Sequence, residues 1–315
     1  MRLVLSSALL GLVWFVAINA IASLVAWTVG RMLLKRAAPS GANRFLMVRL
    51  LPAVASTVFA FLVFLPAHVR FEPAENDESF GAVLCLAAAT SLSVLLAAAW
   101  RALRAGLAGH RFSMLVEGAG TATSSGMLEV GGLSGVSLAG IWRPRILVGV
   151  EARAALTPAE LDLAICHEHA HRQALDNLKR FLMFTAPDLL RWTTIARELE
   201  QRWQAEAECE ADASAVMGDG HRAILLASAL VKVARLPCPG KIRSASPAWS
   251  AFHVPTLLEL RVRQLVSGTL RPPVSARTLA WSSICLALGV PMGVWLLECS
   301  HSLHVVTEAM VTHLP

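Results

Sequence analysis

The chain has 315 residues, of which 55% are hydrophobic and 16% charged, and carries a formal net charge of +6; its mean hydropathy is +0.56. That composition excludes an ordinary soluble domain and points to membrane insertion. The positive balance does not call for nucleic acid, because no arginine-rich tract or aromatic platform accompanies it; the basic flanks of membrane spans supply part of it and rest against anionic lipid.

Four stretches predict transmembrane helices, at residues 3–30, 46–67, 80–100 and 278–297. Each is about long enough to cross a hydrocarbon core of roughly 30 Å. The small residues at 20–22, "AIA", look like a signal-peptide cleavage site, but the apolar run is too long for one, so a retained anchor is expected. Arg31, Lys35, Arg36 and Arg44 follow the first span and Arg101, Arg104 and Arg111 the third. The segment after span two holds one Arg against four acids, and residues 298–315 hold no Lys or Arg. The positive-inside rule then puts residues 101–277 in the cytoplasm and both termini outside, with residues 298–315 as a short extracytoplasmic tail. The six cysteines are scattered without paired spacing, and three of them fall in the reducing compartment, so no disulfide framework is expected.

Residues 101–277 predict one domain, β-like at first. "SMLVE", "GMLEV", "GVSLAG" and "RILVGV" are short apolar or alternating runs separated by Gly and Ser. A helix then begins at "LTPAELDLAICHEHAHRQALDN", where Thr157 is a cap, Pro158 fits the first helical position and Glu160 completes a capping box. Leu161, Ala164, Ile165, Leu175 and Leu178 form its apolar side, so "CHEHAHRQALDN" (166–177) is expected on a helix. Further helices are expected over residues 196–217 and 221–236, the second packing in the core, and "RPPVSAR" (271–277) reads as a rigid lead-in to span four.

On that first helix His167 and His171 are four residues apart and share a face, so both imidazoles can hold one metal ion. Glu168, beside the first histidine, can hold a water and take its proton, the chemistry of an H-E-x-x-H motif, here "HEHAH". A catalytic zinc needs a third protein ligand, and "EAECEADASA" offers Glu206, Glu208 or Glu210, with Asp212 beyond.

"HEHAHRQALD" resembles the H-E-x-x-H-x-x-x-x-D segment of the BlaR/MecR integral-membrane zinc metallopeptidases. "ECEAD" is similar to the E-x-x-x-D motif which that family shares with the HtpX and CAAX-prenyl protease group, and "GIWRPRILVG" resembles the family's G-x-x-x-P-x-I strand. The order of three spans, domain and fourth span also resembles theirs. The resemblance implies an α-helical membrane protein with four spans and an α+β gluzincin domain, mostly helical with a small sheet, in a bacterial inner membrane. It implies one zinc ion per chain held by His167, His171 and Glu208, with Glu168 as general base and Asp212 orienting a ligand histidine. Two departures stand out: Ala174 replaces a basic residue usual in the family, and no penicillin-binding sensor domain is expected in residues 298–315.

Other residues have plainer readings beside sharper ones. His169 should face away from the metal, and Cys166 and Cys209 are expected as free thiols rather than ligands. Asp176 either supports a ligand or closes the helix end with Asn177. His253 and Arg261 are candidate oxyanion stabilisers that could equally be structural. The strand through Trp142, Arg143, Arg145, Ile146, Leu147 and Val148 is a candidate edge onto which an extended peptide substrate could add. His301, His304 and His313 could form an external metal site. The function expected is a zinc endopeptidase acting on a transcriptional repressor or membrane protein at the bilayer. A catalytically silent zinc scaffold and a metal-handling membrane protein are the alternatives, the latter opposed by the scarcity of ionisable residues in the spans.

Overall fold

The computed structural model describes residues 2–35, 41–71, 81–119, 121–122, 127–133, 135–236, 249–251, 257–269 and 300–313; the expected fourth span lies outside them. Helix α1 is Arg2–Lys35, α2 is Ala42–Val58, a π-helical stretch Phe59–Phe64 leads into α3 at Leu65–Phe71, and α4 is Ala82–Ala119. Three helical stretches, Ser6–Lys35, Ala42–Arg70 and Ala82–Met114, are long and apolar enough to cross a membrane. A helix satisfies its own backbone groups, which is what a stretch of this kind needs if it lies in lipid.

Helix α4 corrects one expectation: "SMLVE" (113–117) is not a strand but the continuation of the third span. No Gly or Pro interrupts the chain between Gly109 and Gly118. The extension also packs Phe112 on one face of the sheet, against Val130, Leu133, Ala139 and Leu147.

The sheet comprises β1 (Thr121–Ala122), β2 (Leu128–Val130), β3 (Val136–Ala139), β4 (Arg145–Gly149) and β5 (Trp249–Ala251), in the order β1-β2-β4-β3-β5. It is mixed, β2 running parallel to β4 and the other pairs antiparallel. This order overturns the reading of residues 142–148 as a substrate edge. Leu147 is paired with Leu128 on one side and Ser137 on the other, so β4 is an interior strand and not an edge of the sheet. Its buried Ile146, Leu147 and Val148 form the continuous apolar run of an interior strand. Trp142 and Arg143 lie in the β3–β4 bend, with Trp142 exposed. Gly149 closes β4 where a side chain has no room: a Cβ there would sit 1.8 Å from the Leu133 carbonyl oxygen.

After α5 (Val150–Ala155), helices α6 (Pro158–Gln173), α7 (Asp176–Thr185), α8 (Thr194–Val216), α9 (Gly220–Arg235) and α10 (Leu258–Ser267) complete the domain. One core joins Val136, Leu138, Ile146 and Val148 of the sheet to Leu163 of α6, Leu226 and Leu230 of α9 and Leu265 of α10. A second core sets Ile195, Leu199 and Trp203 of α8 against Ala26 of α1 and Ala42 and Phe45 of α2. Each fully buried large apolar side chain contributes about 1.5–3 kcal/mol, so α8 is firmly attached to α1 and α2. The last described helix, α11 (Ser300–His313), packs at the far end of the spans, where Trp14 Nε1 donates to Thr307 Oγ1 at 3.1 Å.

Candidate metal centre

The capping box forms as the sequence predicts. The Thr157 backbone N–H donates to Glu160 Oε2 at 2.8 Å, and the Glu160 N–H donates to Thr157 Oγ1 at 3.3 Å. It sets the start of α6 and hence the phase of the faces that follow. His167, Glu168 and His171 are buried, whereas His169 is exposed, as its helical phase requires.

Residues 166–177 do not lie on one helix, contrary to expectation. Helix α6 ends at Gln173, and Leu175 adopts a left-handed conformation (φ 57°) before α7 starts at Asp176. The reversal brings Asp176 Oδ2 to 2.7 Å from His171 Nδ1. On an uninterrupted helix, residues five apart would point about 140° away from each other. Asn177, next in the chain, donates through Nδ2 to the carbonyls of Leu138 (3.1 Å) and Gly140 (2.8 Å), which ties α7 to β3.

Helix α8 brings up Glu208 and Asp212, one turn apart on a shared face. His167 Nε2 and His171 Nε2 are 3.1 Å from each other. Glu208 Oε2 lies 3.5 Å from the first and Oε1 3.7 Å from the second. His167 Nδ1 lies 2.9 Å from Asp212 Oδ1. One donor atom from each of His167, His171 and Glu208 falls within 4.8 Å of the others, and all three side chains are buried. They form a group able to hold a metal ion. Each histidine is held at Nδ1 by a carboxylate, which fixes the tautomer and directs the Nε2 lone pair to the common point. Asp212 and Asp176 are therefore the supporting acceptors, and the alternative in which Asp176 merely closes a helix end does not hold.

The charges agree with that donor set. Burial pushes the Asp176 and Asp212 carboxyls up, but His171 for the one and Arg261 for the other outweigh it and hold both below the usual carboxylate range. Burial opposes a proton on His171, yet Glu208 and Asp176 raise it to about 10. The pocket thus favours a cation at Nε2, for which a proton and a metal ion compete. Burial pushes Glu168 up to about 7, partly countered by the two histidines, and neither of its carboxylate oxygens has a hydrogen-bond partner.

Arg261, 49 residues beyond Asp212, grips it through Nε (2.8 Å) and Nη2 (2.6 Å) while Nη1 stands 3.0 Å from Glu208 Oε2. Sequence spacing gave no hint of that contact. Arg180, four residues after Asp176 on α7, has no sequence signal to mark it; its Nη2 lies 3.6 Å from Glu208 Oε1 and its guanidinium sits over the Trp203 ring at 5.7 Å. The neighbouring candidates are engaged elsewhere. Glu206 pairs with Arg202 at 3.5 Å, and Glu210 Oε1 accepts from the Ala42 N–H at 2.9 Å, at the N-terminus of α2. Cys209 Sγ donates to Gln264 Oε1, its thiol pushed up to about 12 mainly by burial, and Cys166 is exposed. His253 and the side chains of His301, His304 and His313 lie outside the described residues.

The residues present fit a divalent ion of intermediate softness, since two imidazole nitrogens and one carboxylate converge from three buried side chains. No protein-family model matches the chain, and no curated protein is significantly similar to it.

Proposed function

We propose that this chain is an integral-membrane zinc endopeptidase that cleaves protein substrates at the cytoplasmic side of a bacterial inner membrane. The observation that carries the reading is the pairing of a buried His167–His171–Glu208 group with an unpartnered buried carboxylate, Glu168, beside it. The motif resemblance of "HEHAH" and "ECEAD" to membrane metallopeptidases supports it, as does the positive-inside pattern.

Zinc at the group would supply Lewis acidity toward a scissile carbonyl and toward water. His167 and His171 would hold it through their imidazoles, and Asp212 and Asp176 keep the two rings in place at Nδ1. Glu208 would be the third ligand, its carboxylate steadied by Arg261 and Arg180. Glu168 is the general base: its carboxylate takes a proton from the attacking water and returns it to the leaving amine. With Arg261 committed to Asp212 and Glu208, its role is to position the ligand side of the site.

The cellular task is regulatory cleavage of a repressor or quality control of membrane proteins. Comparison of new protein termini in cells carrying wild type or Glu168→Gln tests the reading. Fragments that appear only with wild type are expected; identical termini would leave a catalytically silent metal protein instead.

A further inference from the structure

The connector between α7 and α8 has an unusual set of partners. Its backbone is irregular from Ala186 to Leu189, followed by a 3₁₀ turn at Leu190–Trp192. Side chains from all three candidate spans reach it. Asn19 of α1 donates through Nδ2 to the Pro187 carbonyl (3.0 Å) and accepts from the Leu189 N–H (2.9 Å). Arg49 of α2 donates to Asp188 Oδ2 (2.8 Å) and the Met183 carbonyl (3.1 Å). Arg101 of α4 donates to the carbonyls of Phe184 and Ala186, both at 3.0 Å.

The depth of this contact follows from helix geometry. Asn19 is 13 residues into the stretch that starts at Ser6, about 20 Å along the axis at 1.5 Å per residue, and so inside a hydrocarbon core of roughly 30 Å counted from that end. Around that level the outward faces are apolar: Ile21, Leu24 and Val25 on α1, Leu51 and Val54 on α2, and Trp100 on α4 are exposed. The arginines turn inward instead. Arg191, on the connector itself, donates to the Phe184 carbonyl at 3.1 Å and stacks over the Phe184 ring. Asp188 Oδ1 accepts from the Arg191 N–H at 2.9 Å. Irregular backbone is tolerated at membrane depth only where the protein itself satisfies its polar groups, and this connector meets that condition with side chains drawn from three spans. Trp192, which ends it, is nevertheless 64% exposed, the disposition of an aromatic side chain at a membrane interface.

We infer that residues 186–192 form a re-entrant element that dips into the leaflet on the side of the C-terminal end of α1 and the N-terminal end of α2, and contacts lipid through Trp192. The inference rests on the membrane-spanning reading of α1, α2 and α4, and adds a lipid-binding surface to the domain that carries the metal centre. The same connector links α7, which supplies Asp176, to α8, which supplies Glu208, so the two sides of the centre meet through a segment held by the spans.

The test places a nitroxide-bearing side chain at position 192 of the full chain in phosphatidylethanolamine–phosphatidylglycerol vesicles, and compares collisions with oxygen and with a water-soluble nickel chelate. Leu86, exposed on α4, is the lipid control, and Met217, exposed at the end of α8, is the water control. Position 192 is expected to favour oxygen over nickel, as position 86 does and opposite to position 217. An excess of nickel collisions at 192, or access by neither reagent, overturns the inference while position 86 still reports lipid. Nickel access at position 86 would instead bring down the membrane-spanning reading itself.

Discussion

Replacing Arg49 by Met should cost the protein more stability than removing any surface charge. Its guanidinium is buried and shares a 2.8 Å contact with Asp188, whose side chain is equally buried. The second partner, Glu200, is about one-third exposed, so its share is screened and discounted. Breaking a buried pair by deleting one member leaves an uncompensated charge and costs about 3–5 kcal/mol. At about 2–4 °C per kcal/mol for a chain of this size class, the melting temperature should fall by roughly 5–20 °C. The assay is thermal unfolding in detergent micelles followed by far-ultraviolet circular dichroism, run as a double-mutant cycle with Asp188→Asn. The double variant should recover about 2 kcal/mol relative to the sum of the single losses. A loss below about 1 kcal/mol for Arg49→Met, or simple additivity, would refute the buried-pair reasoning.

Glu160 is held down to about 2 from 4.5, burial being outweighed by Lys232, Ser228 and Thr157. A depressed carboxyl contributes stability that is present above about pH 4.5 and is lost as pH falls toward 2; Glu160→Gln should therefore lose up to roughly 3 kcal/mol at pH 7 in urea unfolding, with the gap to wild type closing below about pH 3. Asp176→Ala and Asp212→Ala should each weaken metal binding about 10- to 100-fold in competition with a chromophoric chelator, and unchanged affinity would remove them from the support of the histidines. Leu175→Gly should raise the unfolding free energy by about 0.5–1 kcal/mol, because a left-handed φ is strained for Leu and its half-exposed side chain gives up little burial; a loss of stability would show that the Leu175 side chain matters to the turn.

The parts of the fold legible in the sequence are those set by local chemistry. Thr157, Pro158 and Glu160 mark the start of α6, and the four-residue spacings of His167–His171 and Glu208–Asp212 place each pair on one face. The break at Leu175 is not legible, since neither Gly nor Pro marks it; the Asp176–His171 hydrogen bond and the Asn177 contacts to β3 hold the reversal from outside the turn. "SMLVE" has a pattern that suits either a strand or the end of a long helix, and packing of Phe112 on the sheet decides for helix. The interior position of β4 depends on pairings with β2 and β3 that a hydrophobic run alone cannot order. Arg261 with Asp212 and Arg49 with Asp188 join residues 49 and 139 positions apart, beyond the reach of any periodicity.

The most direct measurement is metal content and peptide cleavage on the same purified preparations of wild type, Glu168→Gln and His167→Ala. The account predicts one zinc per chain in wild type and in Glu168→Gln, none retained by His167→Ala, and cleavage by wild type alone, with Glu168→Gln slower by about 10²- to 10⁴-fold or more. Undiminished cleavage by Glu168→Gln, or full activity in a wild-type preparation free of zinc, would contradict it.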